Sequence, residues 1–193
     1  MDFIISLILF FLAVIIHEVA HGLMAYKLGD PTAKYAGRLT LNPLAHIDPF
    51  GTIILPIFLI FTNSPFVFGW AKPVPVNFAG LRNPKRDIAL VGLAGPLANI
   101  VLAVIISILL KFYPFGILQD FMVLNLVLAV FNLIPIPPLD GSRVLIGFLP
   151  QRLAYKYILI EKFGIFIIFV MIYFGLFKLI VLPVVMAILK FLL

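Results

Sequence analysis

The chain contains no cysteine. That absence removes disulfide frameworks, thiolate metal sites and cysteine nucleophiles together, and it leaves the redox compartment unreadable. Charge is scarce as well. Only 11% of the 193 residues are Asp, Glu, Lys or Arg, where soluble domains carry about a quarter. Internal repeats, low-complexity tracts and soluble linkers are missing, so residues 1–193 read as one domain. What is present is apolar: 64% hydrophobic residues, 20 of them Phe, with a mean hydropathy of +1.22. This composition places the chain among integral membrane proteins. The net charge of +6 needs no nucleic-acid partner, because the basic residues stand at the ends of apolar runs, where membrane interfaces hold them.

A membrane helix needs about 20 mostly apolar residues. The first run, Phe3 to Tyr26, lacks a basic leader and a small-x-small cleavage site, so it reads as a retained helix rather than a signal peptide. A mixed segment, Lys27 to Pro49, precedes a weaker apolar stretch at 50–68, broken by Pro56 and by Thr62-Asn63-Ser64-Pro65. Strong spans follow at Ile88 to Leu110 and at about Phe121 to Ile134. Residues 144–193 hold one or two more. The expected fold is an all-α polytopic membrane protein of about five or six membrane segments. The stretch 50–68 is expected to be re-entrant or interfacial, and short β-like strands are expected in the loops.

The first helix carries His17-Glu18-Val19-Ala20-His21. Histidines four residues apart lie on one helix face about a turn from each other, so two imidazoles can share one tetrahedral metal ion. Glu18 stands where it can take a proton from a water. Three ionisable residues in a lipid-embedded helix are expensive without partners, and that favours a functional reading over an interfacial one.

A catalytic zinc site takes three protein ligands. Candidates for the third are Asp30, His46, Asp48, Asp87, Asp120, Asp140 and Glu161. Asp140 stands out within Asn132-Leu-Ile-Pro-Ile-Pro-Pro-Leu-Asp140-Gly141, where prolines break a span, and irregular backbone at membrane depth must be buried or line a cavity. Asp30, Asp87, Asp120 and Glu161 read as interfacial or capping residues.

These motifs together resemble the site-2 protease family of intramembrane zinc metalloproteases, in its compact bacterial and archaeal branch without PDZ or CBS domains. The H-E-x-x-H pattern pairs there with N-x-x-P-x-x-P-x-L-D-G, which this chain matches at Asn132, Pro135, Pro138, Leu139, Asp140 and Gly141. Gly95-Pro96-Leu97-Ala98-Asn99, Asn42 to Thr52 and Gly69 to Asn77 also match, so the likeness covers a core of about residues 13–145. It implies one Zn(2+) per chain on His17, His21 and Asp140, with Glu18 as general base. It further implies that Asn132 holds substrate backbone or an oxyanion, and that the partners are a membrane-protein substrate and the bilayer.

For the motifs to meet, residues 27–87 must return to the side of the membrane from which they left. The basic flanks then agree, with Lys27, Lys34, Arg38, Lys72, Arg82, Lys85, Arg86, Arg143, Arg152 and Lys156 all cytoplasmic. The expected location is a prokaryotic cell membrane with the active site toward the cytoplasm. Segments 27–49 and 69–86 are expected to wall the water path and gate substrate. Lys72, Pro73, Val74, Pro75 and Val76 would offer an edge for strand addition, with Asn99 grouped beside this gate. His46 reads either as a resting-state ligand or water-path residue, or as an interfacial histidine bonded to backbone. A metal-ion transporter using the same His and Asp residues is the alternative function, though the inverted repeats common in transporters are absent.

Overall fold

The computed structural model describes residues 3–62 and 69–193. Helix α1, Phe3–Lys27, is a continuous apolar run of 25 residues, about 37 Å long at 1.5 Å per residue. It ends at Gly29, whose φ of +112° suits a residue without a side chain. The short helix α2, Thr32–Tyr35, follows. Next come a 3-10 turn at Pro43–His46, a π turn at Pro49–Ile54 and helix α3, Leu55–Phe61. Asp48 starts this last run by accepting the amides of Phe50 and Gly51, which satisfies two of the donors a helix start leaves free.

The run from 49 to 61 is too short to cross a bilayer, and the chain comes back to where it began. Trp70 donates its amide to the Gly51 carbonyl at 3.1 Å, and the Thr52 hydroxyl donates to the Trp70 carbonyl at 2.7 Å. A Cβ on Gly51 would collide with the Trp70 indole, so glycine is what lets the returning strand lie so close. The described residues of this stretch are thus a short apolar helix whose start is hydrogen-bonded to the segment that follows it. The polar interruption at Asn63-Ser64-Pro65 lies outside them. A second closure completes the return: Arg82 donates its amide to the Leu28 carbonyl at 3.1 Å. Residues 29–81 thus form an excursion that leaves and rejoins the same end of α1.

Helix α4, Pro84–Leu110, starts on a proline at its first position and spans 27 residues. It runs antiparallel to α1, pairing its residues 91, 95 and 99 with 21, 17 and 13 of α1. Helix α5, Gly116–Asn132, returns along α4 and leads through a Pro-rich turn into α6, Asp140–Phe148. Helices α7, Gln151–Ile158, α8, Gly164–Tyr173, and α9, Leu176–Leu192, complete the chain. A left-handed Gly175 sits at a bend of 78° between 151–173 and α9.

The main core lies where α1, α4, α5 and α9 meet, around Ala13, Ala103, Met122, Leu126, Val181 and Val185. Alanines on α1 and α4 let the backbones approach, as small residues do in membrane bundles. Elsewhere the surface is rich in exposed Ile, Leu and Phe, as suits contact with lipid.

All elements are helical among the described residues, and no strand is present. The sequence count of about five or six membrane segments is not confirmed among the described residues. By length and composition two helices can cross, α1 and α4, or three if the bent C-terminal pair counts as one span. Length is the physical reason. Helix α5 has 17 residues, about 25 Å, short of the roughly 30 Å hydrocarbon core.

Candidate metal centre

On α1, His17 and His21 turn toward α4 and are nearly buried, 4% and 8% exposed. Their rings meet edge to face at 4.6 Å. The Nδ1 of His21 lies 2.7 Å from the Val91 carbonyl, which can only accept, so this nitrogen carries the proton. His17 requires a longer chain of reasoning. Asn125 places its amide group 2.8 Å from the Phe121 carbonyl, and a carbonyl again demands a donor. Its Oδ1 therefore accepts from Asn99 Nδ2 at 2.7 Å, and that same nitrogen also donates to the Ala13 carbonyl. The Asn99 Oδ1 is left to accept from His17 Nδ1 at 2.6 Å. Both histidines are thereby fixed as Nδ1–H tautomers with bare Nε2 lone pairs.

Those lone pairs face one atom. Asp140 Oδ2 lies 2.8 Å from His17 Nε2 and 3.1 Å from His21 Nε2. The three ligand atoms fall within 4.8 Å of one another. Three electron-rich atoms converging in a mostly buried site call for a shared cation. Two neutral imidazoles and one carboxylate are a donor set that suits zinc, and the carbonyl and amide behind each ring orient the ligands.

Close packing holds the group in place. A Cβ on Gly95 would stand 2.6 Å from His17 Nε2 and against His21 Nε2, so only glycine at this position of α4 leaves the histidines their place. Asp140 is delivered by the turn from Leu133, and Gly141 sits so near the Leu133 carbonyl that a side chain there would overlap it. Helix α6 in turn rests on Gly92 of α4, where a Cβ would come within 2.8 Å of Arg143 Cβ.

Glu18 points to another element. Its Oε2 accepts the Val74 amide at 2.8 Å. The segment carrying Val74 is held at both ends. Lys72 donates to the His46 carbonyl at 2.9 Å, and Asn77 donates to Asp30 at 2.7 Å. Asp30 is fully buried. Burial pushes its carboxyl up, but the Thr32 hydroxyl and the amides of Thr32 and Asn77 together hold it below its ordinary value.

The structure thus brings together His17, His21 and Asp140, with Glu18 beside them and Lys72 to Val76 over Glu18. Three other expectations are relocated. Asn99, grouped by sequence with the gate, is fully buried behind His17; its partners are a ligand ring and two groups in the helix interface, none of them at the gate. His46 stands apart from the ligand group, bonding through Nε2 to the Thr40 carbonyl at 2.8 Å, as the backbone-bonded reading expects. Asn132 turns its amide back to the Leu128 carbonyl on its own helix at 3.0 Å, and no hydrogen bond joins it to the ligand group among the described residues. Asp87 behaves as the capping residue expected, accepting the Asn83 amide. Glu161, expected as interfacial or capping, pairs with Arg143 at 2.5 Å. Asn125 was not singled out from sequence. Its signal was there: a polar amide in the middle of an apolar helix, which must find a partner.

Comparison with known proteins gives the family. Residues 113–177 match the profile of Peptidase family M50. YwhC of Bacillus subtilis (strain 168) is 41% identical over 171 residues, covering 81% of this chain and 74% of that protein. Rip2 of Mycolicibacterium smegmatis is 32% identical, covering 67% of this chain and 51% of its own length; both carry provisional names as zinc metalloproteases. The zinc metalloprotease MJ0392 of Methanocaldococcus jannaschii is 27% identical over 77% of this chain, which spans 35% of it. No solved structure matches the chain significantly. The chain belongs to Peptidase family M50, the site-2 protease family, and is a zinc metalloprotease.

Proposed function

We propose that this chain is an intramembrane metalloendopeptidase, one catalytic unit that hydrolyses peptide bonds within or near membrane-spanning segments of other proteins. The observation that carries the reading is the convergence of Asp140 with His17 and His21, which stand on a helix long and apolar enough to cross a bilayer. These three residues would hold one zinc ion. Zinc, when bound, supplies a Lewis acid that polarises a carbonyl and eases deprotonation of water. Glu18 would accept the proton of the attacking water and hand it to the leaving amide nitrogen.

The segment Lys72 to Val76 supports a role in presenting the substrate. Pro73 and Pro75 fix their own φ and push Lys72 and Val74 toward extended backbone. In an extended strand successive amides point to opposite sides. The amides of Lys72 and Val74 point inward, to His46 and Glu18, whereas the outward positions are prolines and carry no amide. A substrate strand that pairs with the Val74 N–H would therefore have to take it over from Glu18. Such pairing suits a helix that has been unwound, since a helical peptide bond is shielded by its own hydrogen bonds. The shared basic end of the excursion supports a site toward the cytoplasmic face of a prokaryotic cell membrane.

The test uses the full chain in liposomes with a membrane-spanning peptide. Glu18→Gln should keep its zinc and cleave at least about 100-fold more slowly. Full cleavage by that variant, or zinc uptake into the liposomes without peptide cleavage, would overturn the reading.

A further inference from the structure

Asp140 is the one proposed ligand that α1 does not carry, and its placement depends on an irregular turn. Helix α6 is held on one side by α4, through Gly92 and through Gly147, whose Cβ would come 3.0 Å from the Lys85 carbonyl. The turn that leads into α6, and Arg143 on α6 itself, are gripped by residues from the C-terminal part of the chain. The Tyr157 hydroxyl donates to the Pro135 carbonyl at 2.5 Å. Gly164 lies against the Pro137 carbonyl so closely that a side chain would overlap it. Glu161 accepts from Arg143 at 2.5 Å, and Arg143 stands one helical turn after Asp140. The same guanidinium lies 5.2 Å over the Phe78 ring, four residues beyond Val74.

We propose that the segment 157–164 is a brace that sets the position of Asp140, with Tyr157 and Glu161 as positioning residues. Tyr157 acts through the Pro135 carbonyl, and Glu161 acts through Arg143. This rests on Asp140 being a zinc ligand. Irregular backbone at membrane depth needs donors from elsewhere in the protein, and Tyr157 provides one where the prolines have broken the helix. Arg143 without Glu161 loses its counter-charge and is free to turn, carrying the first turn of α6 with it. Metal ligands tolerate displacements of only about 0.5 Å, so a loosened α6 would weaken zinc binding before it unfolded the chain. The ion pair is partly exposed, 22% and 35% at its two side chains. Pairs of that kind contribute little to folding, which separates a positioning effect from a structural one.

The test measures zinc affinity by chelator competition on the full chain in lipid nanodiscs, together with thermal unfolding of the zinc-free form. Glu161→Ala and Tyr157→Phe should each lower zinc affinity about tenfold, the low end for groups that orient metal ligands. Unfolding of the zinc-free form should stay near wild type. Glu161→Gln, which keeps an acceptor, should fall between. In peptide cleavage at limiting zinc, kcat should drop with KM unchanged. Wild-type zinc affinity in both variants overturns the brace. A wild-type chain that binds no zinc overturns the ligand assignment as well, so the two failures are distinguishable.

Discussion

The Val74 amide donates a hydrogen bond of 2.8 Å to the Glu18 carboxylate, tying the proposed base to the segment proposed to present substrate. Val74→Pro removes that donor without adding charge. Hydrogen bonds to charged groups contribute about 1.5–3 kcal/mol, and 1.4 kcal/mol is tenfold. Cleavage by Val74→Pro should fall at least about tenfold, whereas Val74→Ala, which keeps the amide, should lose far less. Steady-state kinetics divide the effect. A drop in kcat means that the amide orients Glu18, and a rise in KM alone means that it binds substrate.

Gly95 separates the two backbones at the ligand pair. Gly95→Ala places a methyl group 2.6 Å from His17 Nε2. The contact is with two rings anchored from behind, so neither can swing away without losing its Nδ1 partner. Overpacking costs about 1–3 kcal/mol, and at this position it falls on the metal ligands. The variant should assemble in membranes with helix content near wild type and bind zinc about 10–100-fold more weakly. Zinc analysis of the purified protein decides this.

Asn99 and Asn125 form a relay in which His17 donates to Asn99, Asn99 to Asn125 and Asn125 to the Phe121 carbonyl, and each is completely buried. Asn99→Leu leaves the His17 Nδ1–H without an acceptor and Asn125 without its donor. Unsatisfied buried groups cost about 1–3 kcal/mol each, and loss of the orienting bond lowers metal affinity about 10–100-fold. Both a lower Tm and weaker zinc binding are expected. Asn125→Leu, one bond further out, should lower Tm with a smaller change in zinc binding.

The pairing of two histidines a helical turn apart was legible from local spacing. Asp140 stood out among the candidates only by its proline-broken setting and the family resemblance, and the structure brings these three residues together. The contact between residues 51–52 and Trp70 agrees with the sequence requirement that residues 27–87 return to the end of the first helix. What sequence could not give was the pairing between elements. Asn99 looked like part of a gate because periodicity does not say which helix face meets which neighbour, and the antiparallel register of α1 and α4 puts it behind His17. Glu161 looked isolated because its partner lies 18 residues away across two helices. The number of spans is not confirmed, because apolar content alone does not give helix length, and length and composition together single out two or three candidate spans among the described residues.

Asp30 fixes the far end of the proposed gate. It accepts the amides of Thr32 and Asn77 and the Thr32 hydroxyl. Its carboxyl is held below its ordinary value of 3.8. A carboxyl whose folded value is depressed stabilises the fold at pH above its unfolded value, and that contribution is lost as pH falls through the folded value. Hydrogen exchange of residues 71–81, corrected for the intrinsic rate, should therefore show constant protection from neutral pH down to about 4, then a loss below it. In Asp30→Asn the acid step attributable to this carboxyl should vanish, with the segment less protected already at neutral pH, because an amide nitrogen replaces one of the two accepting oxygens. An acid step that persists unchanged in this variant would assign the anchoring to another group.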